Sequence, residues 1–496
     1  MKRQEKQYLS REYSLKVNDH MKTFKRLLAL VLVACISFCM FGCNKKTDNE
    51  TGITGSDNTS KKKSGLTLPY SREDGLNPFT AISLVNEPLM PLLYEGLYSV
   101  DENYGPVETI AAETAVNGRN ASVRLSSSAE FNDGTSITSS DVIYSFNLAK
   151  KSSYYASALT GIKAVKANGE DNLVFTLTEP NTFISSVLTF PVVKSGTADK
   201  KDDIPVGSGR YEYTSNAQGG TLKRSENYDH DKYSNKKINL LNVTASDSLL
   251  YSLAIGNISA LFDDISDGVI ERVSVSMAQV PLNNLVFVSF KNKGAMADVD
   301  TRKAINTLLD KNKIISMGMD GYAEKSDLPF NPDWYASDSV EVPKMGKKKA
   351  RKIAEEKLSG TAINIVTCSD DVYKVNTAKA VANQLNALGA ICTVNELDRG
   401  AYLKAVSAGW YDIYIGEMKL TNDMNISSLI SQKPLRDAYG NMLSGDMAVD
   451  AFVNAFYEEM PFVTVGFRNG IVVYERNMSI DIKPLPQNPL SNIYEW

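Results

Sequence analysis

The chain has 496 residues, enough for two or three compact units, and its 43% hydrophobic and 23% charged residues are those of a globular protein. Its 54 basic and 58 acidic side chains leave a net charge of -4, with no long basic run outside the N-terminal region, which argues against nucleic-acid binding. Only two histidines occur, His20 and His230, so histidine acid-base chemistry, a His-rich metal site and a Ser-His-Asp triad have little to draw on.

From Met21, Lys22, Lys25 and Arg26 precede the apolar run Leu27 to Gly42, which reads as a secretory signal behind an extension of residues 1–20. Gly42-Cys43 then opens the polar tract NKKTDNETGITGSDNTSKKKSG. A small residue before Cys at this place resembles a bacterial lipoprotein processing site, with Cys43 as the lipidated N-terminus and the membrane reached through that lipid. LVAC at Leu32 to Cys35 fits by residue type, but it would leave a very short apolar core and strand apolar residues in the mature chain. An uncleaved anchor is the alternative, the run being a little short of the ~20 residues a span needs. Removing residues 1–42 leaves 46 basic against 55 acidic side chains, an acidic body. Residues 43–65 read as a flexible tether with a coil span of roughly 25 Å.

The body begins with a strand at LTLPY, then a helix around Asn86 to Tyr98 with Pro88 in its first turn. Residues 106–200 read as short strands and turns around a helix opened by a Thr138/Asp141 capping box, with Val142, Ile143 and Phe146 on its apolar face. IPVGSGRYEYT leads to more strands and helices, and NLVFVSF is a buried strand. VDTRKAINTLLDKNKII is one helix, capped at Asp300 or nearby. Residues 348–408 alternate helix, strand, helix, strand, helix, an α/β unit with a parallel sheet, and YDIYIG is the next strand. A helix over about Met447 to Glu459 leads into FVTVGFRNGIVVYE, read as paired strands. In the α/β unit Cys368 falls late in one strand and Cys392 early in its neighbour, so two free thiols are expected.

LNPFTA with LLYEGLY, EFNDGTSITSSDVIYSFNLAK, IPVGSGRYEY, TRKAINTLLDKNKII, ARKIAEEKLSG and AYLKAVSAGWYDIYI, in this order, resemble the bacterial extracellular solute-binding proteins of family 5, the oligopeptide, dipeptide and nickel-binding type. The resemblance covers about residues 66–475. It implies an α/β, two-lobed clamshell of the periplasmic-binding-protein kind (type II, cluster C) with an extra α+β subdomain. Residues 66–100, 200–282 and 461–496 would form lobe I, residues 101–199 the inserted subdomain, and residues 283–460 lobe II. It further implies a monomer that holds its solute between the lobes and presents the closed form to an ABC permease.

Members of the family usually carry a Trp and an Asp-Tyr-Pro-Asp-Pro-like motif after the YDIYI strand, whose acid holds a peptide's α-amino group. Here the text is GEMKLTNDMN, so Asp423 aligns with that acid and Glu417 is the other candidate. Arg210 stands where the family has Pro and could meet a ligand carboxylate. Trp334, Trp410, Tyr70 and Tyr94 could pack on ligand side chains. The bland readings stand beside these: Asp423 as a loop cap, Glu417 and Arg210 in internal or surface ion pairs, the aromatics as core. SDD at Ser369 to Asp371 could bind an anion at a helix N-terminus, though it is more often a cap. No nucleophile elbow, P-loop, HExxH or CxxC occurs, so no catalytic residue, metal or cofactor is expected. The expected function is capture of a peptide-like solute for an ABC importer. The alternatives are an oligosaccharide or other small solute on the same fold, or a sensor lipoprotein.

Overall fold

Two long strands, Val275–Phe290 and Phe462–Glu475, pair antiparallel over nearly their whole lengths and organise the protein. The computed structural model describes residues 65–217, 219–228, 237–243, 248–266, 275–476, 478 and 481–496. The signal, Cys43, nearly all of the tether and both histidines lie outside the described residues. NLVFVSF is thus the second half of a longer strand, and FVTVGFRNGIVVYE is one strand rather than a hairpin. Asn469-Gly470 does not turn, because each residue has a partner: Asn469 faces Pro281 and Gly470 faces Val280. A Cβ on Gly470 would lie 2.8 Å from the carbonyl oxygen of Asp263, so the glycine serves a close strand approach.

The pair sits in a seven-stranded mixed sheet, ordered Ala260–Asp263, Phe462–Glu475, Val275–Phe290, Ile413–Lys419, Ala362–Cys368, Ile391–Leu397, with Ala323–Lys325 also on Phe462–Glu475. Its Ile413–Lys419, Ala362–Cys368 and Ile391–Leu397 strands are parallel to one another, as the helix-strand alternation of this region requires. Ile363 faces Cys392, and Cys368 faces Leu397, so the cysteines are five positions apart, ~16 Å along the strand. Both are free thiols, and burial pushes that of Cys392 up to about 11.

A register shift between Pro281 and Asn284 breaks the long pair, with Asn283 at φ 57° and its amide donating to the carbonyls of Leu420 and Thr421. The bulge places a proline where no ladder hydrogen bond is needed. On one side of it lies a four-stranded sheet, Thr67–Tyr70, Lys237–Asn242, Gly219–Arg224, Tyr211–Asn216. Beside that is the second four-stranded sheet, Ala111–Asn117, Asn120–Leu125, Asn172–Leu177, Ile162–Ala167, with the helix Ser139–Ala149. The capping box forms: the Thr138 amide and hydroxyl both donate to Asp141, at 3.0 and 2.7 Å. One core spans both sheets and includes Ile493 of the C-terminal tail. Two others fill the far side, and one of them takes in Leu253, Ile258, Leu261 and Ile265, residues the sequence assigns to the first lobe.

Two helices differ from the reading of the sequence. The segment expected to be helical from Asn86 to Tyr98 is a 3-10 turn, Glu87–Leu89, and a single α-helical turn, Met90–Leu93, after which Tyr94 is extended and Tyr98 starts a strand. Pro91 removes a second donor, and a Cβ at Gly96 would lie 2.8 Å from the Thr189 backbone. The helix at residues 299–315 is two, Val299–Leu308 and Lys311–Gly318. Leu309 is extended and Asp310 caps the second, its carboxylate accepting from the Lys313 amide at 3.0 Å. Lys433–Ser444 is a further helix that the sequence reading leaves unassigned.

Candidate functional site

A cavity of about 420 Å³ opens between residues of the 78–228 region and the C-terminal tail, Leu485 to Ser491. The chain reversal that follows Met90–Leu93 builds its floor: Tyr94, Glu95 and Gly96 line it, and the strand from Arg210 packs across that turn. This packing depends on VGSGR. The Gly209 amide donates to the Leu93 carbonyl at 3.0 Å, and a Cβ at Gly207 or Gly209 would come within 2.3 Å of the Leu93 backbone. The two glycines therefore set Arg210 into the cavity wall.

The walls are largely aromatic and apolar, including Tyr98, Tyr154, Tyr155 and Tyr228 with Met90, Val100 and Pro191. Among the described residues, four ionisable groups other than tyrosines line it: Glu87, Glu95, Glu108 and Arg210. The Arg210 guanidinium lies 4.2 Å from the Tyr494 ring centroid and 5.4 Å from that of Tyr228. Burial pushes Glu95 up to about 7, although a hydrogen bond from Tyr228 and the charge of Arg210 both act to lower it. Glu87 accepts from the Tyr154 hydroxyl at 2.5 Å. Lys419, at the end of strand Ile413–Lys419, stands 3.8 Å from Glu87 and 5.2 Å from the Tyr154 ring centroid. Glu87, Pro486 and Gln487 also border a second gap of about 30 Å³, whose other side is Asn283, Leu420 and Asn422. The large chamber thus meets a narrow seam toward the far side of the bulge.

Of the seven ligand candidates read from the sequence, the cavity brings together Tyr94 and Arg210. Tyr94 is buried, with its hydroxyl donating to the Leu76 carbonyl at 2.8 Å. Tyr70 is buried against Tyr213 and belongs to the core. Trp334 is fully buried among Phe183, Phe330 and Tyr335. Trp410 is 60% exposed and precedes Ile413–Lys419, so the whole strand separates it from Lys419 at the seam.

Glu417 is occupied within the protein. It accepts from Arg468 Nε at 2.8 Å and from Asn284 at 2.6 Å, with Lys374 at 3.5 Å. Asp423 is buried, accepting from Asn181 at 2.8 Å and from the Thr421 hydroxyl. Burial raises its pKa. Asp371 is the cap of Val372–Ala387, accepting from the Lys374 amide, so SDD acts as a helix cap. The sequence reading missed Glu87, Glu95 and Lys419. LLYEGLY contains Glu95, but nothing local marks it as lining a cavity.

A carboxyl whose folded pKa lies above the unfolded value, ~3.9, gives a folded-state advantage that is present below that value and is lost as pH rises through the folded pKa. Asp423→Asn is expected to abolish this loss while keeping an acceptor for Asn181. Urea midpoints should coincide for variant and wild type near pH 4, and the variant should lead increasingly toward pH 7. A constant offset would mean that Asp423 does not titrate in this way.

The model for "Bacterial extracellular solute-binding proteins, family 5 Middle" matches residues 95–431. The oligopeptide-binding protein AppA of Bacillus subtilis (strain 168) is 24% identical over 298 residues, 53% of this chain and 54% of that protein, so the chain spans about half the length of this curated relative. Among solved structures, the unliganded open form of the periplasmic murein tripeptide binding protein MppA aligns with a TM-score of 0.69 at 17% identity, over 83% of this chain and 93% of its own. NikZ from Campylobacter jejuni, in complex with Ni(L-His), aligns with a TM-score of 0.60 at 18% identity, over 87% of this chain and 99% of its own. The architecture is therefore the α/β fold of these binding proteins.

Proposed function

The chain belongs to the bacterial extracellular solute-binding proteins of family 5, and on that premise we propose that it captures a peptide-like solute for an ABC permease. The carrying observation is the chamber itself: carboxylates and one guanidinium set among tyrosines and apolar side chains in the described wall, beside a seam between the two sides of the bulge. A peptide needs an acceptor for its amine, a cation for its carboxylate and apolar surface for its side chains. Glu87 or Glu95, Arg210 and the tyrosines supply these. The volume lies in the lower part of the ~300–1,000 Å³ range of small-molecule pockets, which favours a short peptide.

In this reading the bulge near residues 281–284 is the hinge, and the contact of Lys419 with Glu87 and Tyr154 is one that the closed form keeps over a filled chamber. Cys43 carries the lipid, the tether spans to the body, and the monomer faces the extracytoplasmic side. The test is a thermal-shift screen of the full-length protein in detergent against short peptides, oligosaccharides and metal ions. A solute at a hundred times its Kd should stabilise by about 2.7 kcal/mol. Stabilisation by oligosaccharides with none from peptides would sink the proposal.

A further inference from the structure

Four of the five chamber tyrosines, all but Tyr155, have their hydroxyls engaged within the protein. Tyr94 donates to the Leu76 carbonyl, Tyr98 is 2.8 Å from the Thr114 hydroxyl, Tyr154 donates to Glu87, and Tyr228 to Glu95. What these four offer a ligand is therefore ring surface, negative over its faces. The remaining charged acceptors in the wall are carboxylates, and among the described residues no lysine lines the chamber. We propose that the chamber selects an organic ammonium group, primary through quaternary, seated against tyrosine rings with Glu95 and Glu87 as its counter-ions. This deepens the peptide reading and rests on the same cavity, but it sets a different rule: the charge is recognised, and N–H donors are dispensable.

The electrostatics agree. Arg210 is the one guanidinium in the wall among the described residues, and it faces the rings of Tyr494 and Tyr228. Burial pushes Glu95 up to about 7 even with that charge and the Tyr228 hydrogen bond acting on it, so its ionised carboxylate has room for a further positive charge. A bound ammonium supplies it and stabilises the ionised carboxylate. Glu87 is less available, since Tyr154 and Lys419 share it at the seam. Alkylation of the ammonium removes donors and adds apolar surface, which suits ring faces better than it suits a carboxylate alone.

Isothermal titration of the full-length protein in detergent at pH 7 with four probes tests this: trialanine, its N-acetyl form, its N,N,N-trimethyl form and phenyltrimethylammonium. Trialanine and its trimethyl form are expected to bind within about threefold of each other, and the acetyl form about 30-fold more weakly, the scale of one charged contact. Binding of the cations should release about half a proton near pH 7, read from buffers of different ionisation enthalpy. Glu95→Gln should abolish that release and weaken the cations while leaving the acetyl form unchanged. Equal affinity for the acetyl form overturns the inference and leaves the peptide reading standing. Binding of phenyltrimethylammonium without any tripeptide overturns the peptide reading and leaves the inference standing. Failure of every cation overturns the inference. The wild-type comparison of probes decides the matter even if Glu95→Gln folds poorly.

Discussion

Replacing Arg468 by Met is expected to cost about 3–5 kcal/mol of stability, the scale for breaking a buried ion pair from one side. Arg468 is 3% exposed, and the Glu417 side chain is 8% exposed. The guanidinium bonds Glu417 through Nε and Nη2, both at 2.8 Å, and donates through Nη1 to the Asp264 carbonyl. The pair links the neighbours of one central strand, since Val286 faces Glu417 and Asn284 faces Arg468. Without the guanidinium, Glu417 keeps Asn284 and Lys374 but loses its two shortest charged contacts. Adding Glu417→Leu to Arg468→Met removes the stranded charge and should recover most of the loss, short of the orphaned Asp264 carbonyl. Urea unfolding of both single variants and the double variant measures this. If the double variant loses the sum of the single losses, the two side chains do not act as a pair. The double variant should also keep wild-type solute affinity, because Glu417 faces its own protein rather than the chamber.

The elements that could be read from the chain were those set by neighbours in sequence. The Thr138/Asp141 box, the strand-helix alternation leading to Ile413–Lys419 and the offset of the two cysteines all follow from local spacing. The failures came where distant chain overrode a local signal. Asn469-Gly470 looks like a hairpin turn until Val275–Phe290 is laid beside it, 190 residues away in sequence at Gln279. The helix expected at Asn86 ended early because Gly96 must lie against Thr189.

The site divides in the same way. Arg210 was visible as a departure from the family pattern at a glycine-rich turn, and that turn does deliver it to the cavity. Glu417 and Asp423 looked available because their partners are remote: Arg468 lies 51 residues on, and Asn181 lies 242 residues back. An acid next to a strand end is a ligand candidate only until the rest of the chain has been allowed to claim it. Glu95 was the converse, an ordinary acid in a helix-like segment until Arg210 and Tyr228 arrived beside it.

Trp334 separates the two views of this protein by experiment. As a ligand contact it would affect affinity; as core it should affect folding. It is fully buried, with ring centroids 5.0 Å from Phe183, 5.1 Å from Phe330 and 6.1 Å from Tyr335. Phe183 belongs to the segment that also bonds Asp423 through Asn181, so Trp334 holds this segment to the far side of the molecule. Trp334→Ala should therefore cost about 3–5 kcal/mol, and the folded fraction should bind solute as the wild type does. Trp334→Phe should cost much less, because ring contacts persist and the indole Nε1, which has no hydrogen-bond partner among the described residues, is removed. Trp410→Ala, on an exposed ring, should shift stability by no more than about 0.5 kcal/mol. Denaturation midpoints and titrations on the same preparations measure both quantities. A Trp334→Phe protein that is stable yet loses affinity would return this residue to the binding site.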